Sequence, residues 1–107
     1  VNRKIVDILG EKYTITYKTS ERDTRLSTTY GYCDYGTKSI VINKDFGLRL
    51  QKITIRHEFI HAFLFESGLS ASTLMYEGGW ATNEEMVDFF ASQWVKLNKI
   101  FEKLEVL

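Results

Sequence analysis

The stretch Arg56-His57-Glu58-Phe59-Ile60-His61 decides how the rest of this 107-residue chain is read. It holds both of the chain's histidines, four positions apart, with Glu directly after the first. On an α-helix, side chains at i and i+4 lie one above the other on the same face. Two imidazoles so placed can close on one zinc ion, and Glu58 can reach a water bound to it. Two histidines fall four apart in about 2% of random placements, and Glu follows the first about 9% of the time, so coincidence runs at roughly 0.2%. The plain alternative is a pair of helical histidines that pack, or sit in water, without metal. The motif needs a helix, and its neighbours supply one. From about Leu48 to Ser67, Ile53, Ile60, Phe63 and Leu64 recur at helical spacing. Asp45 reads as the cap before this helix and Gly68 as its C′ stop.

Upstream, residues 3–18 read as a β-hairpin. Ile5, Val6, Ile8 and Leu9 precede Gly10-Glu11, after which Tyr13, Ile15 and Tyr17 alternate with polar residues. Thr19 to Thr28 is polar and reads as a loop. Tyr30–Asp34 and Lys38–Asn43 make a second hairpin around the turn signal Asp34-Tyr35-Gly36-Thr37, and Ser39–Asn43 is the clearest strand. Downstream, Leu69 to Gly79 is irregular. Thr82 opens the last helix, with Thr82-Asn83-Glu84-Glu85 as a capping box and Glu85 at N3. Met86, Val87, Phe90, Trp94, Leu97, Phe101 and Leu104 then form one apolar stripe, a packing face first. The expected fold is α+β: a small twisted, mostly antiparallel sheet of two hairpins, followed by two packed helices.

The length bounds this to a single domain, residues 1–107. Fourteen basic residues balance fourteen acidic ones, so no basic excess argues for nucleic acid. No apolar run is long enough to span a membrane. The opening Val1-Asn2-Arg3-Lys4-Ile5 lacks the apolar core of a signal peptide and an initiator Met, the latter as in a trimmed chain or fragment. Cys33 is the lone cysteine, which suits a reducing compartment and sets the expectation of a cytoplasmic protein. Its thiolate could ligate or attack, against the plainer role of a small strand residue.

Catalytic zinc is usually held by three protein ligands and a water. With no third histidine, a carboxylate is the natural completion. Glu84 is the candidate. It falls in the first turn of the last helix, after a bend at Gly78-Gly79 that could bring it beside the first helix. Asp88 lies at i+4 from it and could accept the free ring N–H of a ligating histidine. Glu85, Glu77 and Asp88 remain alternatives as ligand. Glu84 and Glu85 could also do no more than favour the positive end of the helix dipole.

His57-Glu58-x-x-His61 resembles the motif of zincin metallopeptidases. Asn83-Glu84-x-x-x-Asp88 resembles the matching segment of thermolysin-like gluzincins, where the Glu is the third ligand and the Asp supports a ligating His. The compact size and the run Glu84-Glu85-Met86-Val87-Asp88-Phe89-Phe90-Ala91 also look like the ImmA/IrrE group, small cytoplasmic metallopeptidase-like proteins of phages and mobile elements. The resemblance spans roughly residues 38–95. It implies a minimal zincin-like domain with Zn2+ on His57, His61 and Glu84, Glu58 as the catalytic base, Asp88 as supporting residue, and a peptide or protein as substrate. The chain has Leu64 and Ser67 where a metzincin has Gly and His, lacks the third His of SprT-like proteases, and lacks the Met-Pro ending of ImmA-like proteins.

The expected chemistry is peptide hydrolysis. Zinc lowers the pKa of a bound water to about 7, and Glu58 takes its proton and passes it to the leaving amine. Tyr76, Tyr30 and Tyr35 are candidate donors to the oxyanion. Ser39–Asn43, if an edge strand, could pair with an extended substrate. A zincin-fold binding or regulatory protein with weak or no proteolysis is the alternative. The intact Glu58 favours the enzyme, because a site that only holds metal has no need of that base.

Overall fold

The computed structural model describes residues 3–72 and 79–107. Arg3–Ile8 (β1) and Glu11–Lys18 (β2) pair antiparallel, with Ile8 opposite Glu11. This register leaves Leu9 and Gly10 as a two-residue turn, both at positive φ, a geometry that matches the twist of the flanking strands. Gly31–Asp34 (β3) and Ser39–Asn43 (β4) form the second hairpin. Its turn is held by the Asp34 carboxylate, which accepts from Gly36 N at 3.0 Å and Thr37 N at 3.1 Å. The strand order is β1-β2-β4-β3, with β2 and β4 parallel. The fold is α+β, a four-stranded mixed sheet followed by helices.

Leu48–Glu66 (α1) packs across β3 and β4, Leu69–Ser72 (α2) is a single turn, and Glu84–Lys103 (α3) lies against α1. Ile8, Tyr13, Ile15, Ile40, Ile42 and Ala62 form the core between sheet and α1. A second cluster of Leu64, Ala81 and Val87 joins α1 to α3. The last turn of α1 is pinned to the sheet by one carboxylate. Glu66 accepts from the Tyr13 hydroxyl at 2.6 Å and from Lys38 Nζ at 2.9 Å. These two donors hold the Glu66 carboxyl below its usual range.

Four local expectations are corrected. Ser39–Asn43 is not an edge strand: β4 sits between β2 and β3, and its near-continuous apolar run suits a central strand. Asp45 does not cap α1. Its carboxylate accepts from Ser20 N at 3.0 Å and Ser20 Oγ at 2.9 Å, and the helix starts after Gly47 without a side-chain cap. Thr82 is not the cap of α3 either. It closes a 3-10 turn over Trp80–Thr82, and the extended Asn83 accepts from Met86 N at 2.9 Å. That makes Met86, not Glu85, the third residue of the helix. The polar segments 19–28 and 69–79 are not wholly irregular, since Thr24–Ser27 is a 3-10 turn that buries Leu26 and Leu69–Ser72 is helical. The C′ role of Gly68 agrees with its φ of 85°.

Gly31 sets how closely α1 can approach β3. A Cβ there would lie 2.7 Å from the Val41 carbonyl oxygen and 2.8 Å from Thr54 Cγ2. The backbone oxygen cannot move without breaking the sheet, so Gly31→Ala must push α1 outward. We expect Gly31→Ala to destabilise the fold by about 1–3 kcal/mol, read as a lowered urea midpoint, as for other overpacked sites. An unchanged midpoint would contradict this close approach.

Candidate metal centre

His57 and His61 are stacked one turn apart on α1, and both rings point toward the start of α3. The Asn83 cap makes Glu84 the first helical residue of α3. Arg56 braces the two helices, its Nε donating to the Ala91 carbonyl at 2.6 Å. Within this frame three atoms converge. His57 Nε2 and His61 Nε2 are 3.1 Å apart, and Glu84 Oε1 is 3.2 Å from the first and 2.9 Å from the second. Donors around a tetrahedral ion with bonds near 2.0–2.1 Å are separated by roughly 3.3 Å, so the spacing fits.

The proton count points the same way. Asp88 Oδ1 lies 2.8 Å from His57 Nδ1. A neutral His57 held by that carboxylate carries its proton on Nδ1, which leaves Nε2 as a lone pair. That lone pair faces the Glu84 carboxylate. With both rings neutral, His61 can offer one proton among the three atoms, and at least one pair of acceptors then meets without a hydrogen. A cation between them would satisfy all three. His57, His61 and Glu84 could therefore hold a metal ion.

Glu58 stands one residue on from the first ligand and turns inward, 8% exposed. Its Oε2 is 3.9 Å from His57 Nε2. Burial pushes its pKa up to about 7, His57 pulls against that, and Glu84 and Asp88 add to the rise. The hollow above this carboxyl has a volume of about 440 Å3 and is bounded by Gly31, Cys33, Tyr35, Glu58 and the two histidines.

The chain matches no family model, no curated protein and no solved structure. Of the sequence candidates, the structure brings His57, Glu58, His61, Glu84 and Asp88 together. Glu85 is exposed and outside the group, while Glu77 and Tyr76 lie outside the described residues. Tyr30 is not at the site; it is 53% exposed and meets Phe46 edge-on. Tyr35 borders the hollow beside His61 and Glu84, and its ring stacks on Phe65 at 4.3 Å. Burial, with Cys33, Glu58 and Glu84 nearby, pushes the Tyr35 hydroxyl up to about 12, so it stays a donor. Burial likewise pushes the Cys33 thiol up to about 12, which leaves it a strand residue rather than a thiolate. The Arg56 brace had no signal in the sequence.

Titration of the metal-free protein with Co2+ or Zn2+ should give one site per chain. We expect Glu84→Ala and Asp88→Ala each to weaken it about 10- to 100-fold, the usual scale for a lost ligand or its support. Glu85→Ala should leave it unchanged. Equal affinity in Glu84→Ala and Glu85→Ala would remove Glu84 from the centre.

Proposed function

We propose that this chain is a zinc-dependent peptidase in which Glu58 is the general base. The observation that carries the reading is the conjunction of three converging donors with the buried Glu58 carboxyl, beside an edge strand. The donor set supports zinc, since two imidazoles and one carboxylate with an open side are a recurrent catalytic zinc environment. The resemblance of His57-Glu58-x-x-His61 and Asn83-Glu84-x-x-x-Asp88 to gluzincin motifs supports it too.

Zinc bound there would supply a Lewis acid for the scissile carbonyl and a water with its pKa lowered to about 7. The chain's own residues do the rest. Glu58 accepts a proton from the attacking water and passes it to the amine that leaves as the C–N bond breaks. Asp88 keeps His57 in the tautomer that presents Nε2. Tyr35, protonated and fixed by Phe65, donates to the oxygen that gains charge in the transition state.

The substrate's path is suggested by β3. Asn43 N donates to Tyr30 O at 2.9 Å, so by antiparallel alternation the backbone groups of Gly31 and Cys33 point away from β4. Thr29 Oγ1 already engages Gly31 N, at 3.0 Å. The N–H and C=O of Cys33 are thus placed to pair with an extended peptide lying over Glu58. Backbone pairing gives affinity with little sequence preference. The proposed setting is the cytoplasm, where a lone thiol such as Cys33 stays reduced. No helix among the described residues is long and apolar enough to cross a membrane.

The test compares metal content and cleavage of an unfolded protein by wild type, Glu58→Gln and Tyr35→Phe. We expect all three to hold zinc, with kcat/KM lower by about 10²- to 10⁴-fold in Glu58→Gln. Tyr35→Phe should lose about 10²-fold in kcat. Zinc held equally with no cleavage by any of the three would instead support a zincin-fold binding protein.

A further inference from the structure

We propose that the end of the sheet where β1 begins and β2 and β4 finish is a binding surface for single-stranded nucleic acid. The topology gathers charge there. β1 runs antiparallel to β2 and β4 runs parallel to it, so Arg3 lies opposite Thr16 and Lys18 opposite Asn43 at the same end. Lys44 N donates to Lys18 O at 2.9 Å, and α1 starts a few residues on, at Leu48. Two adjoining hollows open at this end, of about 880 and about 590 Å3, and they share Tyr17 and Lys44. Arg3, Lys4, Lys18, Arg22, Lys44 and Lys52 line them.

The balance of fourteen basic and fourteen acidic residues thus conceals a segregation. The six cations are all exposed, and none makes an ion pair among the described residues. Among the described residues Glu21 is the one acid that lines either hollow. Asp45 nearby is taken up by the backbone and hydroxyl of Ser20, and Asp23 by Tyr32 and the Arg25 backbone. The start of α1 adds the positive end of its dipole, since Leu48 borders the second hollow. Like charges gathered in a hollow focus their field outward and favour an anion that bridges them.

Shape and chemistry select the polyanion. A duplex is read by a helix or ribbon that protrudes into one of its grooves, whereas this surface is concave. Tyr17 is half-buried at the junction of the two hollows, with cations on both sides of it. A basic trough interrupted by an aromatic ring is how single strands are held: the charges follow the phosphates and a base stacks on the ring. An acidic peptide would engage the charges but has no use for the ring. On α1 the surface takes Leu48, Lys52 and Ile55, and His57 lies about 200° round the helix from Ile55. A strand bound here lies across α1 from the histidines and leaves the metal centre open.

Fluorescence anisotropy with a labelled oligothymidylate of about 20 nucleotides, in about 50 to about 300 mM salt, tests this. Six phosphate contacts at roughly 0.7 each give a slope of log K against log salt of about −4. Lys18→Gln and Lys44→Gln should each weaken binding and make the slope shallower by about 0.7. Tyr17→Leu should weaken binding by about 5- to 100-fold and leave the slope alone. Lys96→Gln and Lys99→Gln, exposed on α3, should change neither. Unchanged far-UV circular dichroism would show that the variants fold. Tyr17 also packs against the core, so the exposed Lys18 and Lys44 carry the test if Tyr17→Leu does not fold. No binding at about 50 mM salt, a slope indifferent to Lys18→Gln and Lys44→Gln, or equal binding of duplex DNA or of polyglutamate would overturn the proposal.

Discussion

Two imidazole nitrogens and a carboxylate oxygen meet where α1 and α3 touch, and holding them together is the constraint on which the rest of the structure depends. His57 Nε2, His61 Nε2 and Glu84 Oε1 all lie within 3.2 Å of one another. Three contacts from two helices hold only where the surrounding fold fixes both helices. The Arg56–Ala91 hydrogen bond ties the two helices, the Asn83 cap fixes where α3 begins, and Glu66 with Tyr13 and Lys38 anchors the end of α1 to the sheet. Gly31 then lets α1 settle onto β3, which brings Glu58 under the edge of the sheet.

Burial does separate work on each group. Glu58 is enclosed, and that burial raises the pKa of its carboxyl. Glu84 and Asp88, by contrast, are well exposed, at 65% and 68% of their side chains. They keep contact with water while meeting the two histidines. Carboxylates thus stand in three places on two helices, one enclosed and two open to water. Tyr35 and Cys33 are affected in the same direction, which preserves a hydroxyl donor and keeps the thiol unreactive.

Much of this was legible in the residues, for identifiable reasons. Period-two alternation at Tyr13, Ile15 and Tyr17 and turn chemistry at Asp34-Tyr35-Gly36-Thr37 mark the hairpins locally, and the i, i+4 spacing aligns the histidines on any helix. What joins the hairpins is not local. The parallel β2–β4 pairing buries Ser39–Asn43 in the centre and leaves β3 as the strand beside the site. The face of α1 turned to the sheet was hidden too, because Ile55 and Phe59 pack there beside the buried Thr54, Glu58 and Ala62, and the apolar spacing at Ile53, Ile60, Phe63 and Leu64 marks a different face. At the start of α3, Thr82 and Asn83 are both good caps, and only the 3-10 turn before them decides for Asn83. Glu84 and Asp88 survive that one-residue shift because their own i, i+4 relation does not depend on where the helix begins.

The most direct measurement is an anomalous difference map at the zinc absorption edge, from crystals grown with Zn2+. The account predicts one peak, within about 2.0–2.2 Å of His57 Nε2, His61 Nε2 and a Glu84 carboxylate oxygen, with a fourth position facing β3. A peak on other residues, or no ordered ion between these three, would contradict it.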